Sequence, residues 1–74
     1  MNIENFKTSI AEILEVDTIE MSDQLSSFEA WDSLSILSII AFCHDKYKVT
    51  LSSDEIKNSG TVLGLKELIQ NKMP

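Results

Sequence analysis

The sequence predicts an all-α fold: a small helical bundle of three longer helices plus one short helix, with a long loop between helices I and II. Three observations lead there. The chain has 74 residues and 43% apolar side chains, enough for one compact core but not for two. It holds two glycines and one proline, and that proline is the last residue, so helix breakers are nearly absent from the interior. Apolar residues recur at steps of three and four in three separate stretches. One domain spanning residues 1–74 follows.

Helix I occupies residues 3 to 15. Ile3, Phe6, Ile10, Ile13 and Leu14 trace one face, with Glu4, Lys7, Glu12 and Glu15 mostly off it. It should end near Val16-Asp17. From Asp17 to Trp31 the periodicity is lost, because Ser22, Asp23, Ser26 and Ser27 compete for backbone hydrogen bonds. Ile19, Met21, Leu25, Phe28 and Trp31 nevertheless make this loop apolar, so it should pack over the helices. A short helical turn is expected around Asp23 to Ser27.

Helix II should run from about Ser33 to Tyr47. Asp32 is a good N-cap, since its carboxylate can accept the unpaired N–H groups of the first turn. Leu34, Leu37, Ile40 and Ala41 form one apolar row; Ile36, Ile39, Cys43 and Tyr47 form an adjacent one. A stripe that wide predicts a central helix, leaving Ser35, Ser38, Asp45 and Lys46 as the exposed strip. Ser52 and Glu55 have capping-box spacing for a short helix, which Asn58-Ser59-Gly60 stops. Thr61 can cap the last helix, whose buried face is Val62, Leu65, Leu68 and Ile69. Val49-Thr50-Leu51 is too short to make a strand on its own.

Twelve acids against six bases give a net charge of −6. Nucleic acid is excluded as an expected partner, because binding it requires a basic patch. An anionic membrane surface would repel the chain, and a partner rich in lysine and arginine would attract it. No apolar run approaches the ~20 residues of a membrane span. One cysteine and no secretory signal point to a reducing cytoplasm.

The chemistry-bearing stretch is Trp31-Asp32-Ser33-Leu34. A serine at a helix start has its hydroxyl beside unpaired donors and the positive end of the helix dipole, a favourable place for a phosphate ester. Asp-Ser can also be a cap and nothing more. Trp31 reads as a core or loop anchor ahead of a direct ligand contact. Cys43 and His44 do not face each other on a helix, so they make no nucleophile–base pair. Cys43 falls on the apolar row and His44 on the surface. Asp54 and Glu55 suit a solvated helix start better than acid–base catalysis. No metal site is expected: there is no second histidine, and Asp17, Glu20 and Asp23 lack the calcium-loop pattern.

Asp32-Ser33-Leu34 opening the second of these helices resembles the acyl carrier protein family, and the similarity extends over essentially the whole chain. The resemblance implies that Ser33 accepts 4′-phosphopantetheine from coenzyme A through a phosphopantetheinyl transferase. The arm's thiol would then hold an acyl or aminoacyl group as a thioester. It also implies a non-catalytic monomer. Its partners would be the transferase, a loading ligase or transferase, and downstream biosynthetic enzymes of the fatty acid, polyketide or nonribosomal peptide kind. Asp32 and Leu34 would flank the attachment point. Trp31, Ile36, Asp45, Asp54 and Glu55 would meet partners.

Two departures from the family pattern stand out. Trp31 takes the place of a small residue. The positions matching the family's acidic strip on helix II are Ser35, Ser38, His44, Asp45 and Lys46, of which only Asp45 is acidic. Both favour a dedicated pathway over the standard fatty-acid enzymes. The competing reading, from another class, is an unmodified acidic helical adaptor for a basic partner. A hydrolase using Ser33 lacks a base, since His44 lies three turns away.

Overall fold

The computed structural model describes residues 1–73. Four helices make it: α1 (Ile3–Ile13), α2 (Ser33–Tyr47), α3 (Ser53–Ser59) and α4 (Val62–Lys72), with a single 3₁₀ turn at Leu25–Ser27 in the long loop. α1 packs on α2, α2 on α3, and α3 on α4. Among the described residues the only strand-like pairing is an isolated bridge between Gln24 and Thr61.

Each helix start is set by its cap. Asn2 accepts from the Asn5 N–H at 3.0 Å, Thr61 from the Gly64 N–H at 3.0 Å, and Ser52 from the Glu55 N–H at 3.2 Å. Glu55 returns a bond to the Ser52 N–H, completing the expected capping box. The short helix stops where Gly60 takes φ +78°, in the region that favours glycine.

α1 ends at Ile13, short of the expected Val16-Asp17. Glu15 turns left-handed at φ 60°, so the Val16 N–H reaches the Ala11 carbonyl and the Glu15 N–H reaches that of Glu12. Those bonds close the helix without a glycine, so composition gives no sign of the stop.

The core takes Phe6 and Ile10 from α1 and Leu14 from just past its end, Ile39 and Cys43 from α2, Ile56 from α3, and Val62, Leu65 and Ile69 from α4. Ile19 and Leu25 of the long loop and Val49 and Leu51 of the α2–α3 link complete it. The loop is therefore packed, as its apolar content predicts. It is also strapped. Leu25 donates to the Gly60 carbonyl, while Val62 and Leu63 donate to the carbonyls of Asp23 and Met21, at 2.9–3.0 Å. These bonds consume the first N–H groups of α4.

α2 departs from expectation in one respect. It is contacted on two sides, by α1 and α3, but only the Ile36–Ile39–Cys43 row is buried. Leu34 and Leu37 are 73% and 59% exposed, and Ala41 is exposed too. Ser35, expected on the surface, is 6% exposed. Two rows of apolar residues span more of the helix than its neighbours cover.

Candidate functional site

The start of α2 is built from Asp32 outward. Its backbone is extended (φ −153°, ψ −174°), so its side chain folds back over the first turn. Asp32 Oδ1 accepts the Ser35 N–H at 2.9 Å. Ser35 Oγ accepts the Asp32 N–H and donates to the Asp32 carbonyl, each at 2.9 Å. The Ile36 N–H also reaches that carbonyl, at 3.0 Å. Asp32 Oδ2 takes no hydrogen bond from the described residues. Upstream, Trp31 donates to the Phe28 carbonyl and Phe28 to that of Leu25, which is anchored in the core. The entry into α2 is thus tied to the core by successive turns.

Ser33 is the first residue of α2 and is exposed. Among the described residues, its N–H and that of Leu34 find no acceptor in the chain. The other helix starts differ. α1 carries Glu4 in its first turn, and α3 carries Asp54 and Glu55. α4 has no acid there, but Asp23, Met21 and the Thr61 side chain take its first three N–H groups. Only α2 combines an acid-free first turn, two unpaired N–H groups and an exposed serine hydroxyl. A phosphate ester on Ser33 Oγ fits this arrangement, since the free donors and the helix dipole both favour negative charge.

The other candidate residues fall in different places. Trp31 is half-buried against the core. Leu34 projects into solvent, and Leu37 lies one turn further along the same face. Ile36 is 4% exposed and belongs to the core, so it offers a visiting protein almost no surface. Asp45 is exposed towards the far end of α2, roughly 18 Å from Ser33 along the axis. Asp54 is exposed at the start of α3. Glu55 is committed within the chain: it caps α3 and pairs with Lys72 Nζ at 2.8 Å. That ammonium, with the Ser52 backbone, holds its carboxyl below the usual glutamate range.

The sequence pattern misplaces two residues here. Periodicity alone puts Leu37 in the buried stripe, although it follows Leu34 by one turn beyond the candidate serine. It puts Ser35 on the exposed strip, although Ser35 stands three residues after Asp32, the same interval as Ser52 to Glu55. Ser35 is buried and so cannot share an exposed recognition strip with Ser38, His44, Asp45 and Lys46.

Cys43 is buried and His44 exposed, so they do not form a catalytic pair. Burial pushes the Cys43 thiol up to about 12, leaving it protonated at neutral pH. Among the described residues no cluster of His, Cys, Asp and Glu is placed to hold a metal ion. No helix is long and apolar enough to cross a membrane.

Comparison with known proteins is consistent with this geometry. A family model described as a phosphopantetheine attachment site matches residues 4–69. No curated protein and no solved structure shows a significant match.

Proposed function

Because the chain belongs to the phosphopantetheine-attachment family, whose members carry 4′-phosphopantetheine covalently on a serine, we propose that it is an acyl or aminoacyl carrier protein modified at Ser33. One observation carries the choice of serine: an exposed hydroxyl on the first residue of α2, beside two unpaired N–H groups and no first-turn acid. The bound arm supplies a thiol that holds the cargo as a thioester. The protein's own residues present that arm and carry out no bond-breaking themselves.

Asp32 has two functions in this reading. Oδ1 caps the helix, and Oδ2 remains available to engage the transferase and the metal ion that accompanies its coenzyme A. Leu34 and Leu37 give partners an apolar patch beside the attachment point. Trp31 braces the loop behind it. Asp45 and Asp54 supply outlying negative charge, which speeds encounter with basic partners without making binding tight. Glu55 contributes less, because Lys72 already engages it. The sparse charge on α2 suits a dedicated pathway with its own loading ligase or transferase. A tether makes such brief encounters productive by raising the local concentration of the cargo.

Intact-mass analysis after co-expression with a broad-specificity phosphopantetheinyl transferase tests the proposal. The wild-type chain should gain the mass of one phosphopantetheine. Ser33→Ala should gain none while keeping its helical CD spectrum, since an exposed N1 serine adds little stability. A wild-type chain that stays unmodified would favour an acidic adaptor instead.

A further inference from the structure

We infer that Ser35 is a positioning residue for the modification of Ser33, an inference that rests on the carrier reading. Ser35 stands two residues beyond Ser33, about 200° round the helix, so it points away from any group attached there. Its hydroxyl instead holds the backbone of Asp32 from both sides, accepting from the N–H and donating to the carbonyl, while its own N–H holds the Asp32 carboxylate. Ser33 therefore lies inside a closed three-bond clamp whose two jaws are Asp32 and Ser35.

The usual partner at this capping-box position is a long glutamate or glutamine reaching back from the surface. Here a short hydroxyl does the same from a nearly buried position, with less freedom to swing away. The clamp fixes the backbone that carries Ser33 and the position of the Asp32 carboxylate before an enzyme arrives. A transferase that must align Ser33 Oγ with a phosphorus atom then has only the rotation of that side chain left to order. Without the Ser35 hydroxyl, the Asp32 N–H loses its only acceptor in the chain among the described residues, and the first turn loosens around the reacting group.

Ser35→Ala tests this against Thr61→Ala, which removes a comparable cap hydroxyl from a different helix, α4. Phosphopantetheinyl transfer from coenzyme A would be followed by mass spectrometry at varied carrier concentration, with CD melts of both variants. Ser35→Ala should melt about as much lower as Thr61→Ala, yet only Ser35→Ala should lose about tenfold in kcat, with KM nearly unchanged. Amide hydrogen exchange should quicken at Asp32, Ser35 and Ile36 in Ser35→Ala alone. Modification of Ser35→Ala at the wild-type kcat, or an equal slowing of Thr61→Ala, overturns the positioning role. Neither outcome touches the carrier reading, which fails only if the wild-type chain accepts no phosphopantetheine.

Discussion

The α-carbon of Gly64 faces the carbonyl of Ser59 so closely that a Cβ there would lie far inside van der Waals contact with that backbone oxygen. Gly64 is in the first turn of α4, and Ser59 ends α3. The same carbonyl accepts the Thr61 N–H at 2.9 Å, so it cannot swing aside without breaking the turn. This contact sets how tightly the chain folds back from α3 into α4. Gly64→Ala should therefore destabilise the protein by about 3 kcal/mol despite alanine's better helix propensity. Urea unfolding followed by CD measures it, and a stability equal to wild type would disprove the constraint.

Leu34 and Leu37 stand in solvent, where their truncation removes little packing. Leu34→Ala and Leu37→Ala should each change stability by no more than about 0.5 kcal/mol. Transfer of phosphopantetheine to Ser33 should meanwhile fall about tenfold in kcat/KM, as when an apolar anchor is removed from an interface. A fatty-acid malonyl transferase should load the modified chain poorly, because α2 lacks an acidic strip. Efficient steady-state loading would count against that recognition argument.

The Glu55–Lys72 pair joins the start of α3 to the end of α4. The Glu55 carboxyl is held below its ordinary value, first by the Lys72 ammonium and then by the Ser52 backbone. As pH falls through the glutamate range, the unfolded chain takes up the proton before the folded one does. The pair's contribution is therefore present above the ordinary glutamate pKa and lost as pH drops through the folded value. Urea midpoints of wild type and Glu55→Gln should differ at neutral pH and converge in acid. Added salt should narrow the gap, since the pair is partly exposed. Parallel pH curves would contradict this.

Cys43 gives the opposite dependence. Its thiol ionises at about 9 when unfolded and at about 12 in the core. The unfolded chain then holds fewer protons across that interval, so stability should fall as pH rises from about 9 to about 12. Cys43→Ala should flatten that limb at the cost of a small cavity. In the native protein at neutral pH, a thiol-alkylating reagent should leave Cys43 unreacted and label it fully in urea. Rapid native labelling would contradict its burial. A shielded, protonated thiol also cannot compete with a cofactor thiol for a thioester cargo.

The helices were legible because their signals are local. Ile3, Phe6 and Ile10 mark a face by spacing alone, and Ser52, Glu55, Gly60 and Thr61 announce their starts and stops through backbone chemistry. The left-handed turn at Glu15 was not legible, since glutamate has no preference for it and the bonds to Ala11 and Glu12 impose it. The candidate serine could be picked from the cap and the apolar series after it. Its neighbours could not be sorted the same way: Ile36 and Leu37 are both apolar, yet one is in the core and the other is a free surface.

By itself, then, the sequence determined where helices begin, which stretches are apolar, and that one serine follows a capping aspartate. Those properties depend on residues within a few positions of each other, where spacing equals geometry. The tertiary structure decided which apolar row of α2 is covered, that Ser35 closes under Asp32, and that the long loop fills the α4 start while leaving the α2 start open. Each of these depends on which distant segment arrives against a given face, and only the packed bundle fixes that.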